Sequence, residues 1–286
     1  MSTRRELITH AIAAALRVRR EVGTEAGHPL CVYDLAHKLG IDVRFLALPS
    51  MEGMFDAETR TIFVCSLRPA GRQAFTAAHE LGHCILEHGT HISEFVEPGQ
   101  VRHHPPQEVA ANAFAGALLM PKSAVLSNFS SRGWVAAAPT SSQVYVVAGA
   151  MGVGYTTLIN HLRFGINVLD QTTADSLLRE GRRLSRVRAR LAGQPVDGNL
   201  VVVDEKWSAP FVDVVIGDIL LVPPDVEFSE RHFTQVATSD SVLLINAAST
   251  GCSEMTVGNK KLCARVSSRD YVGRATYRHE PEDPSE

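Results

Sequence analysis

Up to about residue 194 the apolar positions mostly recur three and four apart, the spacing of helices with one buried face. From residue 200 they fall into short runs separated by Gly, Pro, Asp and Ser, the punctuation of strands and turns. The first part predicts helices over 6–22 and 31–39, the second ending at Gly40, where a positive φ is easily accommodated. Two runs rich in β-branched and aromatic residues follow, 43–48 and 60–64; a turn-prone stretch, 53–59, separates them, and they read as an antiparallel pair. Phe75, Leu81, Ile85 and Leu86 mark the core-facing side of an amphipathic helix. Another helix is expected over 107–120, entered through Pro105-Pro106 and stopped by Pro121. Residues 141–164 have the pattern of a helix-turn-helix, with a Gly-Val-Gly turn and a second helix from Tyr155. Apolar spacing among Leu178, Leu184, Val187 and Leu191 then predicts one amphipathic helix with arginines along its outer face. The β runs are 200–203, 211–216, 219–222, 233–238, 242–245, 261–266 and 271–277, which fit a small sandwich or barrel. The tail from His279 is acidic and is expected to be disordered.

The helix carrying Phe75 contains His79-Glu80-Leu81-Gly82-His83. Residues four apart share a helix face, so His79 and His83 can offer two imidazole nitrogens to one metal ion. Glu80 falls beside that ion without ligating it, placed to take a proton from water as a general base. A catalytic Zn²⁺ needs a third protein ligand. Leu86 and Gly89 stand where the longer metzincin motif has glycine and a third histidine, so that pattern is absent and a glutamate is the better candidate. Glu108 opens the helix after Pro106, and the small residues Ala111, Ala115 and Gly116 on its face would let that helix approach closely. Asn112, one turn on, is expected to orient the Glu108 carboxylate. Between the two helices runs 89–106, with His88 just before it and His91, His103 and His104 within it. A donor to the developing oxyanion could come from these histidines, and His103 and His104 rank first because they closely precede Glu108. The segment could also serve as a lid.

Composition narrows the classes. The 286 residues exceed one average domain, and 45% apolar content is ordinary for a chain with real cores. A formal charge of −3 gives no global attraction to nucleic acid. The second helix of the helix-turn-helix pattern offers only Asn160, His161 and Arg163 for contacts, so packing against its neighbours is favoured over DNA binding. No apolar stretch approaches a membrane span and the amino terminus lacks signal-peptide character, so a cytoplasmic location is expected. The five cysteines are scattered, which suits reduced thiols, and Cys84 reads as a core residue.

The segments RQAFTAAHELGHCILEH and EVAANAFAGALLMP, from Arg72 and from Glu108, resemble the ImmA/IrrE family of bacterial zinc metallopeptidases. The likeness covers about the first 125 residues and weakens beyond them. It implies an α+β fold with a zincin-like domain, Zn²⁺ held by His79, His83 and Glu108, and Glu80 as the catalytic base. It implies a protein substrate, a helix-turn-helix transcriptional repressor whose cleavage induces mobile-element or stress-response genes. It also favours residues 61–65 as a sheet edge that could hold an extended peptide, where the residues alone equally allow an interior strand. The expected division is a zincin-like metallopeptidase domain over 1–124, a helical helix-turn-helix-like module with a linker helix over 125–195, and an all-β domain over 196–286. The competing reading is a DNA-binding transcriptional regulator with a structural or sensory zinc site.

Overall fold

The computed structural model describes residues 3–24, 27–94, 105–239 and 241–280. Helix α1 (Arg4–Glu21) starts at a capping box, in which the Thr3 hydroxyl accepts from the Glu6 amide while the Glu6 carboxylate accepts from the Thr3 amide. α2 (Val32–Lys38) gives way to Gly40 at φ +70°. Strands β1 (Asp42–Leu46), β2 (Met51–Asp56) and β3 (Thr61–Cys65) follow, then α3 (Ala70–Ile85), β4 (His91–Glu94) and α4 (Pro106–Leu119). The chain is of the α+β class.

The first sheet has the order β12-β1-β3-β2-β4 and corrects three expectations. β1 and β3 pair in parallel, not as an antiparallel hairpin, because β2 lies between them in sequence and pairs antiparallel with β3. The stretch read as a turn holds most of β2, whose Met51, Gly53 and Phe55 are buried while the residues between them are half-buried. β3 is therefore interior and not an edge, which suits a run, Thr-Ile-Phe-Val-Cys, that is apolar almost throughout. The edge beside α3 is β4, whose Ser93 reaches Glu80 of that helix.

After α5 (Lys122–Ser130) come α6 (Ser141–Ala150) and α7 (Tyr155–Asn160), the latter continued by a π-helical turn, His161–Gly165. These are the expected helix-turn-helix elements. A Cβ on Gly71, in the first turn of α3, would come within 2.6 Å of Gly154 N and Val153 C, so the α6–α7 turn is seated against α3. The expected single arginine-rich helix is two, α8 (Gln171–Gly181) and α9 (Leu184–Ala192). α8 ends at Gly181, where the chain passes so near the Tyr155 ring that a Cβ would lie 2.8 Å from it.

β5 (Leu200–Val202), β7 (Ile219–Val222), β9 (Leu243–Ala247) and β8 (Phe233–Thr238) form one sheet in the order β5-β7-β9-β8. β10 (Gly251–Val257), β11 (Lys260–Ser267) and β6 (Phe211–Val215) form another. β10 was not among the expected runs. Val212, Leu220, Phe233, Ile245, Met255 and Leu262 from both sheets share one buried cluster, the arrangement of a sandwich. The last expected run leaves it: β12 (Gly273–Arg274) pairs antiparallel with β1 in the first sheet, and a 3-10 turn, Ala275–Tyr277, follows. Ion pairs fasten the junction, Arg265 to Asp34 at 2.6 Å and Arg132 to Asp204 at 2.7 Å. His279 is packed there beside Asp213 and not in a free tail; residues 281–286 lie outside the described residues. Among the described residues no single helix is long and apolar enough to cross a membrane.

Candidate metal centre

Two helices and an edge strand build the site. α3 and α4 approach closely because Gly82 has no side chain: a Cβ there would lie 3.1 Å from the Phe114 ring and 3.3 Å from Ala111 Cα. This close contact sets Glu108, in the first turn of α4, opposite the His79–His83 face of α3. A carboxylate there is also favoured by the helix dipole. β4 pairs with β2, with His91 opposite Phe55 and Ser93 opposite Gly53. Strand alternation gives His91 and Ser93 one face, toward α3, and leaves Ile92 on the other, 59% exposed. Gly53 is where β2 meets α3: a Cβ would come within 2.5 Å of Thr76 and 3.0 Å of Glu80.

The donor atoms converge. His79 Nε2 and His83 Nε2 are 3.1 Å apart; His83 Nε2 is 3.2 Å from Glu108 Oε1, and His79 Nε2 is 3.4 Å from Glu108 Oε2. Around a tetrahedral ion bound at about 2.0–2.1 Å, neighbouring donors stand roughly 3.3 Å apart, so these separations are those of ligands around one ion. Glu108 Oε1 is moreover buried without a hydrogen-bond partner, although imidazole nitrogens surround it. That is costly unless a cation takes its charge. His79, His83, His91 and Glu108 each present a ligand atom, all within 4.8 Å of one another.

Outer partners fix the rings. His79 Nδ1 lies 3.1 Å from Asn112 Oδ1, so the ring donates there and Nε2 stays free to ligate. Asn112 thus orients a histidine and not, as expected, the Glu108 carboxylate. His83 Nδ1 lies 3.0 Å from His88 Nδ1, which places His88 behind the ring and away from the ligating side. Beside His79 and His83, the Glu108 carboxyl is held well below the usual carboxylate range. Burial pushes His83 down to about 4, toward the neutral form that a ligand needs.

Glu80 is fully buried. Burial pushes its carboxyl up to about 7, against the opposing pull of His79 and of the Ser93 hydroxyl. Ser93 Oγ donates to Glu80 Oε1 at 2.6 Å, while Oε2 is buried with no partner. One oxygen is therefore anchored and the other is available for a proton. A carboxyl near neutrality in such a place suits transfer in both directions. His103 and His104 lie outside the described residues. Sequence reasoning ranked His91 below them, and only the β2–β4 pairing brings it in; its place in the segment between two metal-binding helices was the one available signal. Cys84 is half-buried and outside the group of donors.

Residues 36–153 match the family model described as the IrrE N-terminal-like domain of metallopeptidases. This segment belongs to that family. The IrrE-like match starts later and runs further than the expected first 125 residues, taking in α6 and the turn before α7. The radiation response metalloprotease IrrE of Deinococcus radiodurans is 34% identical over 85 residues, 29% of this chain. The chain spans about a quarter of that relative, 26% of its length. Among solved structures, a Mycobacterium tuberculosis transcriptional regulator aligns over 54% of this chain and 46% of its own at 19% identity, with a TM-score of 0.37.

Proposed function

We propose that this chain is a zinc-dependent endopeptidase of the ImmA/IrrE type, with a zincin-like catalytic domain, that cleaves a helix-turn-helix transcriptional repressor. The observation that carries the catalytic part is the triangle of donors from His79, His83 and Glu108 at 3.1–3.4 Å, with Glu80 buried beside it. Two imidazoles and one carboxylate are a donor set suited to zinc, which when bound supplies Lewis acidity toward water and the scissile carbonyl. Glu80 takes the proton of the attacking water on its free Oε2 and passes it to the leaving amine, while Ser93 holds Oε1 in place. The cleft suits a polymer: a cavity of about 1630 Å³ runs from Glu80 and Glu108 past Arg72 to Trp207 and Phe211. Small-molecule pockets are roughly 300–1,000 Å³. The repressor as substrate and its consequence for mobile-element or stress-response genes rest on the family resemblance.

The rival, a DNA-binding regulator with a structural or sensory zinc site, has the α6–α7 pattern in its favour. Against it stands the packing of the turn before α7 on Gly71 of α3, since recognition helices read bases with their N-terminal residues. The test is incubation of candidate repressors with wild type and the Glu80→Gln variant, followed by mass spectrometry of the fragments. Zinc-dependent cleavage by wild type alone supports the peptidase. Chelator-insensitive, sequence-selective DNA binding without cleavage supports the rival.

A further inference from the structure

The donor triangle accounts for three of the four groups that converge here, and His91 is the fourth. Its Nε2 is 2.7 Å from Glu108 Oε1, yet that oxygen has no directed hydrogen bond. The His91 ring lies parallel to the His83 ring, with centroids 3.9 Å apart and planes 11° apart. The stack brings the edge of the His91 ring to the carboxylate that His83 also faces, and its ligand atom lies within 4.8 Å of those of His79, His83 and Glu108. The outer partners here look different: Asn112 and His88 contact the Nδ1 atoms on the far sides of their rings.

We propose that His91 is a fourth protein donor, so that the resting metal site is closed, and that the site opens when β4 moves. Closed four-ligand sites are the mark of structural metals, whereas hydrolysis requires a free position. His91 stands on the element best placed to release it. Among the described residues β4 is a four-residue edge strand paired only to β2, across an irregularity between Met51 and Gly53. Among the described residues no strand pairs with its outer edge, and an extended segment docking there would act on the residue that blocks the centre. Withdrawal of His91 Nε2 vacates one coordination position for solvent and leaves His79, His83 and Glu108 in place. The consequence for turnover rests on the peptidase reading above; the coordination claim does not.

The test therefore needs no substrate. The visible spectrum of the Co²⁺-loaded full chain is recorded with and without thiocyanate, for wild type, His91→Ala and His91→Phe. The phenylalanine keeps a ring stacked on His83 but offers no nitrogen, which keeps the test decisive if the alanine variant folds poorly. Loss of an outer partner typically weakens metal binding by about 10–100-fold, so loss of a donor should weaken Zn²⁺ binding by at least about 100-fold in chelator competition. The expected spectra are a wild type indifferent to thiocyanate and variants that respond to it. A wild-type spectrum that shifts with thiocyanate as the variants do, or variants that bind Zn²⁺ as tightly as wild type, would overturn the proposal. Separately, faster basal cleavage by the variants is expected; absence of cleavage by every form would count against the peptidase reading and leave the spectra to decide the coordination.

Discussion

Two helix contacts in this molecule rest on the same device and have opposite outcomes. At Gly82, α3 meets α4 so closely that a Cβ would lie 3.1 Å from Phe114; at Gly71, about three turns earlier in the same helix, α3 meets the α6–α7 turn more closely still, at 2.6 Å. The first contact encloses His79, His83, Glu80 and Glu108, with buried polar atoms left over for a ligand. The second closes over backbone atoms of Val153 and Gly154, and neither residue is among those with a buried side-chain polar atom lacking a partner. Close helix packing makes a site only where unspent polar groups are packed with it. The turn of the helix-turn-helix pattern in α6 and α7 is thus packed against α3.

Breaking the first contact's chemistry should give the largest effect. Glu80→Gln is expected to retain the metal and lower the cleavage rate by roughly 10²–10⁴-fold, read by metal analysis beside a fragment assay. Asn112→Ala comes next: with the His79 ring no longer held through Nδ1, metal affinity should fall by about 10–100-fold while thermal unfolding changes little. Equal affinity in this variant would show that Asn112 does not orient the ligand. The second contact should respond in stability instead. Gly71→Ala puts a Cβ against backbone atoms that cannot rotate away, and should cost about 1–3 kcal/mol in denaturant unfolding with metal affinity unchanged. A fall in metal affinity of the same size as for Asn112→Ala would mean the two contacts are not separable. The smallest effect is expected at Asn160, exposed on α7: Asn160→Ala should alter stability by less than about 0.5 kcal/mol and leave retention on duplex DNA unchanged in a gel-shift assay. Loss of sequence-selective retention would restore the recognition-helix reading.

How much of this was legible along the chain depended on range. The His79–His83 pair follows from helix periodicity alone, and Glu108 from a helix start signalled by two prolines; both are local. The α6–α7 helices and most of the C-terminal strands were visible for the same reason. What failed was long-range. β2 was hidden because Gly53, which makes room for Glu80, also looks like a turn residue. Missing it turned a parallel β1–β3 pair into a supposed hairpin and moved the sheet edge from β4 to β3. His91 enters the metal group only through that β2–β4 pairing, and β12 joins β1 from the far end of the chain. Neither relation leaves a periodic trace in the sequence.

The proposed chemistry depends on α3 and α4 converging on a single ion. Zinc affinity of wild type and Glu108→Ala, measured by competition with a chelating indicator, tests it most directly, because Glu108 is the donor supplied by the second helix. One tightly bound equivalent in wild type and a loss of at least about 100-fold in the variant are predicted, beyond what an outer partner alone contributes. Wild-type affinity in Glu108→Ala would contradict the convergence of the two helices on one metal.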